Sequence, residues 1–88
     1  MLRYNDLEVN TYYVADPVEY IVLAKDRQKM IWLSKLDEKS KWKIWIWTRE
    51  DWKDADLFQD KSEPVGSLED LFTLEEVIEY LFINGLQD

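Results

Sequence analysis

Four runs of apolar and β-branched residues, separated by short polar segments, fill the first half of the chain. The runs are EVNTYYVA, EYIVLA, KMIWLSK and WKIWIWT, and none is longer than eight residues. The dipeptide Asp16-Pro17 and the segments KDRQ and LDEKSK lie between them and are typical of turns. Short runs joined by short turns predict a meander of about four antiparallel strands.

The later runs are apolar on both faces. Because successive side chains of a strand point to opposite faces, Trp42, Ile44 and Ile46 share one face of the fourth run. Trp45 and Trp47 share the other face with Lys43. The second run sets Tyr20, Val22 and Ala24 against Ile21 and Leu23, and the third sets Met30, Trp32 and Ser34 against Ile31 and Leu33. A half-solvated sheet would alternate apolar and polar positions, so both faces of this sheet need cover.

After Thr48 the pattern becomes helical. Thr48 and the acidic Asp51 three positions later are typical of a helix start. Apolar residues then follow at a spacing of three and predict a short amphipathic helix. These residues are Trp52, Ala55 and Phe58. The segment QDKSEPVG is predicted as a loop, and SLEDLF as one helical turn capped by Ser67.

The segment TLEEVIEYLFING gives the clearest helix prediction. Thr73 and Glu76 form a capping box, and Asn84-Gly85 provides the stop. The apolar face of the helix consists of Leu74, Val77, Ile78, Leu81 and Phe82. We therefore expect one α+β domain over residues 1–88: an antiparallel meander sheet of about four strands, then a short helical segment and a C-terminal amphipathic helix packed on one sheet face.

One helix covers only one face of the sheet, and the other face has three candidate covers. They are segment 48–60, a second copy of the chain, or a different protein. The first would bury Trp45 and Trp47 inside the molecule. The other two would make these side chains an interface, a role in which tryptophan is enriched. The segment KWKIWIWTREDW holds four of the five tryptophans, so this question bears directly on function.

Composition excludes several kinds of chemistry. The chain has no cysteine and no histidine, which removes thiolate nucleophiles, the commonest metal ligands and the commonest general base. Asp54 and Asp56 begin like a calcium-binding loop, but Phe58 and Gln59 occupy positions that need an oxygen ligand and a glycine. We predict no catalytic residue, no metal site, no cofactor and no enzymatic activity.

The segment MLRYNDLEVN lacks the apolar core of a signal peptide, and the apolar run 20–24 is too short to cross a bilayer. We therefore expect a cytoplasmic protein that does not bind membranes.

Charge is distributed unevenly along the chain. Residues 1–47 carry eight basic and seven acidic side chains, for a net +1, whereas residues 48–88 carry three basic and twelve acidic ones, for a net −9. An acidic half repels nucleic acid and attracts basic surfaces. The lysines and arginine around the hairpin turns could touch phosphates, but the total charge of −8 opposes such binding. These residues are Lys25, Arg27, Lys29, Lys35, Lys39, Lys41 and Lys43.

The sequence favours a small acidic binding protein that occludes a basic, nucleic-acid-binding site on a protein partner. Helical carboxylates three or four residues apart approach the spacing of phosphates, as in phage-encoded nucleic-acid mimics, anti-CRISPR inhibitors and immunity proteins. The predicted contact residues are Trp45, Trp47, Trp52, Glu50, Asp51, Asp54, Asp56, Glu75, Glu76 and Glu79. Two alternatives are open: a homodimer or assembly subunit joined through the tryptophan-rich sheet face, and single-stranded nucleic-acid binding through sheet aromatics.

Overall fold

The fold is a five-stranded antiparallel sheet with helices on both faces. The structure, a computed structural model, describes residues 1–84, except the side chains of Tyr80, Ile83 and Asn84. The strands are β1 (Thr11–Ala15), β2 (Val18–Lys25), β3 (Lys29–Lys35), β4 (Lys43–Thr48) and β5 (Glu63–Ser67), in the order β4-β3-β2-β1-β5. The helices are α1 (Arg49–Lys53), α2 (Asp56–Lys61) and α3 (Leu74–Asn84), with 3-10 turns at Tyr4–Asp6 and Leu68–Asp70. The predicted α+β class is confirmed.

The four predicted strands are present as a meander, and a fifth strand corrects the loop predicted at QDKSEPVG. Residues 59–61 belong to α2, and β5 pairs with β1 across a register shift between Tyr12 and Tyr13. Pro64 and Gly66 made this segment resemble a loop. Because β5 is an edge strand, Pro64 can sit where no ladder hydrogen bond is required of its nitrogen.

A register shift in β2 moves one residue away from its predicted face. Val22 pairs with Trp32, but Ala24 pairs with Ile31, so Leu23 is the extra residue of a bulge. Directly paired residues share a face. Ala24 therefore lies on the face of Ile31, not on the face of Val22 as strict alternation predicted.

Helices α1 and α2 cover one face of the sheet, which we call the aromatic face. Trp52 of α1 is buried in a core cluster with Tyr20 and Trp32, and Phe58 of α2 packs against that cluster. The ring of Phe58 lies 5.8 Å from that of Tyr20 and 5.5 Å from that of Trp32, both edge-on. The first of the three candidate covers, segment 48–60, is thus the one that the structure contains.

The aromatic face also holds the N-terminal residues in place. Trp52 Nε1 donates a hydrogen bond to the Leu2 carbonyl (3.2 Å), and the Leu2 N–H donates to the Gln59 carbonyl (2.6 Å). The indole N–H of Trp32 is buried without a hydrogen-bond partner among residues 1–84. Trp32 is therefore held in the cluster by ring contacts with Tyr20, Trp47 and Phe58.

The opposite face carries a smaller core, and helix α3 covers it less completely than its pattern predicted. The buried members are Ile21, Leu33, Ile44, Phe72 and Val77. Val77 alone of the five predicted apolar residues of α3 is buried, whereas Leu74, Ile78, Leu81 and Phe82 are 73%, 55%, 41% and 90% exposed. Phe72, Leu68 and Trp42 supply apolar cover on this face beside the helix. The capping box of Thr73 and Glu76 is confirmed; Gly85 of the predicted stop lies outside the described residues.

Replacing Trp52 with alanine tests the aromatic face. Truncating a buried tryptophan to alanine lowers the free energy of unfolding by about 3–5 kcal/mol, because its neighbours cannot fill the cavity. We expect Trp52→Ala to lose that amount in urea unfolding monitored by circular dichroism. Leu57→Ala on the half-exposed side of α2 is the control and should lose less than about 1 kcal/mol. Equal losses would mean that α1 does not cover a core.

Four tyrosines with raised pKa values predict a loss of stability at alkaline pH. Burial is the largest cause that raises the pKa of Tyr4, Tyr12, Tyr13 and Tyr20 above 10.0, and a hydrogen bond to Glu19 helps raise that of Tyr12 to about 12. These groups ionise first in the unfolded chain, so their contribution is complete below pH 10 and is lost as pH rises further. Lys25 has the opposite effect on stability. Burial lowers its pKa, so the folded chain gains stability relative to the unfolded chain as pH rises.

We therefore expect the urea midpoint to decrease above pH 10, with tyrosinate absorbance appearing together with unfolding. A native protein in which these four tyrosines titrate near pH 10, well before unfolding, would contradict their raised pKa values.

Candidate functional site

The junction between β4 and α1 brings aromatic and acidic residues together. Thr48 caps α1: the Asp51 N–H donates to Thr48 Oγ1 (3.2 Å), and the Thr48 N–H donates to Asp51 Oδ2 (2.8 Å). This reciprocal pair satisfies two backbone donors at the helix start. It turns the chain directly from strand to helix, so α1 lies beside the tryptophans of β4.

A groove lies between β4 and α1, and we call it the acidic groove. It has a volume of about 450 Å³ and is lined by Trp45, Ile46, Trp47, Asp51, Asp54 and Ala55. The two indoles are only partly buried, and both carboxylates are exposed. Among the described residues that line it, none is basic. The groove therefore offers two aromatic surfaces beside two carboxylates that no basic residue of its lining neutralises.

Trp45 and Trp47, the two tryptophans of the acidic groove, pack against the aromatic core cluster. The Trp47 ring lies 4.6 Å from that of Trp32 and 5.5 Å from that of Phe58. Trp45 packs against the same cluster. Because these neighbours limit rotation, each indole presents its exposed part without a large loss of side-chain entropy on binding.

Trp52 does not belong to this site. Its side chain is 1% exposed and points into the aromatic cluster, so it has no surface to offer to a partner. Sequence spacing could not separate Trp52 from Trp47, because both are apolar residues near one helix start. The distinction depends on which side of α1 faces the sheet.

The remaining predicted carboxylates form two groups on opposite faces of the sheet. Glu50 and Asp56 are exposed on the segment that carries the acidic groove. Glu75, Glu76 and Glu79 are exposed on α3, and Glu76 Oε1 also accepts the Thr73 N–H (3.1 Å). Both α1 and α3 contact β4. The two groups therefore flank the same edge strand of the sheet, although only the first adjoins the exposed tryptophans.

A second groove of opposite charge lies at the other end of β4, and the sequence prediction did not include it. This basic groove has a volume of about 300 Å³ and is lined by Ser34, Leu36, Ser40, Lys41, Lys43 and Trp45. Trp45 forms a wall of both grooves. The signal in the sequence is the alternation that places Lys43 on the face of Trp45 and Trp47.

The larger depression near the β1–β2 turn is a weaker candidate. It has a volume of about 610 Å³, and its lining includes Asp16, Glu19, Asp37 and Glu38 but no aromatic residue. Glu19 already accepts a hydrogen bond from the Tyr12 hydroxyl and pairs with Lys35 at 3.9 Å. Asp37 accepts hydrogen bonds from the loop that follows it, which lower its pKa. Glu19 therefore stabilises strand pairing, and Asp37 stabilises the loop after β3.

Within residues 1–84, no group of three or more carboxylates is arranged to hold a metal ion. No helix in the same range is long and apolar enough to cross a membrane. Comparison with known proteins gives no relative: no family model, no curated protein and no solved structure matches the chain. The site must therefore be judged from its own geometry.

Fluorescence quenching tests the exposure of the groove tryptophans. Acrylamide should quench part of the emission of the folded protein, since Trp45 and Trp47 are partly exposed whereas Trp32 and Trp52 are buried. We expect the Trp45→Phe/Trp47→Phe variant to lose most of the quenchable fraction, the rest coming from Trp42. Trp52→Phe is the control: it removes emission that acrylamide does not reach, so the quenchable emission itself should stay unchanged. Loss of quenchable emission in Trp52→Phe would contradict its burial.

Proposed function

We propose that the protein is a non-enzymatic binding protein whose acidic groove takes up basic side chains of a protein partner. The observation that carries this proposal is the pairing of two partly exposed indoles with Asp51 and Asp54 in one groove without a basic residue. A lysine or arginine placed there would lie over an indole face and near a carboxylate. Cation–π attraction and charge pairing then act on the same group.

The charge distribution supports binding by occlusion of a basic surface. The chain from residue 48 onward carries a net −9, and its carboxylates lie on both sides of β4. Such a field steers a basic partner toward the molecule and makes association fast and salt-sensitive. Nucleic-acid-binding proteins have basic surfaces of this kind, so we extend the proposal to an inhibitor or immunity-type protein of the kind encoded by phages or mobile elements, acting in the cytoplasm.

The residues proposed to contact the partner are fewer than those predicted from the sequence, because Trp52 is buried and the α3 carboxylates lie on the other face. Trp45 and Trp47 are the aromatic anchors, with Asp51, Asp54 and the adjacent Glu50 and Asp56 as the charged contacts. Glu75, Glu76 and Glu79 of α3 contribute to the long-range field. Direct nucleic-acid binding through sheet aromatics is less favoured, since α1 and α2 cover the aromatic face and bring four carboxylates to it.

A charge-reversal pair tests the groove. An oligolysine peptide with a fluorescent label serves as the probe, with oligoglutamate as the negative control, at protein concentrations low enough to avoid self-association. We expect Asp54→Lys to weaken oligolysine binding about tenfold, because the reversal removes one attraction and adds one repulsion next to the bound amine. Asp16→Lys, at the far end of the sheet, changes the net charge equally and should have a much smaller effect.

Equal weakening by Asp16→Lys and Asp54→Lys would mean that binding follows net charge alone, and the groove would then have no specific role. Tryptophan emission should also shift on binding in the wild type, because the probe amine lies beside Trp45 or Trp47.

A further inference from the structure

The two edges of the sheet differ in how they are protected. Edge strand β5 carries Pro64, a charged Glu63 and a register irregularity, all of which hinder pairing with another strand. Edge strand β4 has the sequence KIWIWT, with no proline, no bulge and Lys43 as its one charged residue. An exposed apolar edge of this kind is suited to accept a further strand.

The hydrogen-bond alternation shows which backbone groups of β4 point outward. The Arg49 N–H donates to the Gln28 carbonyl (2.7 Å), one step beyond the Lys29–Thr48 pair. In an antiparallel pair, bonded and non-bonded positions alternate. Trp45 and Trp47 therefore bond to β3, whereas the backbone groups of Ile44, Ile46 and Thr48 face the outer edge.

Only part of that outer edge is occupied. The outward N–H of Thr48 donates to Asp51 Oδ2, which agrees with the alternation and ends the ladder at that residue. Within residues 1–84, no strand and no other backbone group pairs with the outer side of Ile44 or Ile46. The edge thus presents the N–H and C=O groups of two residues, enough for four backbone hydrogen bonds.

We infer that a second copy of the chain occupies this edge, forming an antiparallel β4–β4 pair with its two-fold axis at Trp45. In this register Ile44 of each copy exchanges hydrogen bonds with Ile46 of the other, so all four outward groups on each copy are used. Trp45 meets Trp45 of the other copy on the aromatic face. The pairing is isologous and closes as a dimer with one continuous ten-stranded sheet.

Charge complementarity identifies the second copy as the occupant. The same register places Lys43 of one copy directly opposite Trp47 of the other, and directly paired residues share a face. Trp47, Asp51 and Asp54 line the acidic groove. The amine of Lys43 therefore enters the acidic groove of its neighbour, over an indole and beside two carboxylates. The two-fold axis repeats this contact, so the acidic groove of each copy meets the basic groove of the other.

This dimer would close the groove that the proposed function assigns to a partner. Lys43 of the second copy then holds the place of the partner's basic side chain, and the partner must displace it. Self-association is measured with purified protein alone, so the dimer can be disproved while partner binding stands, and the reverse also holds.

The test uses native mass by size-exclusion chromatography with light scattering over a dilution series. We expect the wild type to be a dimer at high concentration. Ile46→Pro should be monomeric, because it removes an outward N–H while proline is tolerated at an edge strand. Lys43→Glu and Asp54→Lys each create two repulsive contacts per dimer, and each should raise the dissociation constant roughly tenfold or more. Lys61→Glu and Asp60→Lys, on α2, are the matched controls and should remain dimeric.

Mixing the two charge variants gives the decisive result. In a heterodimer of Lys43→Glu with Asp54→Lys, both contacts are again between opposite charges, so the mixture should dimerise at concentrations at which either variant alone is monomeric. A wild type that is monomeric throughout would overturn the inference. A dimer that survives Ile46→Pro, or a mixture that stays monomeric, would also overturn it.

Discussion

The central sheet is apolar on both faces, so both must be shielded from water. A chain of 88 residues has little apolar surface to spare. Three of its five strands, β2, β3 and β4, nevertheless place large apolar side chains on both faces. Water would make either face unstable if it stayed open. The segments after β4 are consequently committed to cover: α1 and α2 lie over the aromatic face, and α3 with the turn before it lies over the other.

The cover of the aromatic face is what creates the candidate site. Thr48 and Asp51 cap α1 immediately after β4, so the helix that buries Trp52 also carries Asp51 and Asp54 past the edge tryptophans. Trp45 and Trp47 stay partly exposed because α1 reaches the sheet through Trp52 and leaves the outermost strand incompletely covered. The position of α1 thus explains both the burial of Trp52 and the partial exposure of Trp45 and Trp47.

The grooves at the two ends of β4 carry opposite charges. Lys41 precedes the strand, Lys43 begins it and carboxylates follow it, with Trp45 between the two groups. An edge with such polarity is complementary to itself when the strands run antiparallel, and its acidic end is complementary to basic proteins in general. The proposed dimer and the proposed partner complex would use the same groups, so the dimer would restrict access to the site.

The local elements could be predicted from neighbouring residues, because they depend on short-range patterns. Strand alternation, the capping boxes at Thr48 and Thr73, and the two-faced apolar character of β4 can all be read from neighbouring residues. Tertiary structure decided what depends on contacts between distant segments. It made β5 a strand by pairing it with β1, moved Ala24 to the other face through a bulge, buried Trp52, and left most of the apolar face of α3 exposed. Residue patterns state how much apolar surface must be covered; only the packing of whole elements decides which part of it remains open to a partner.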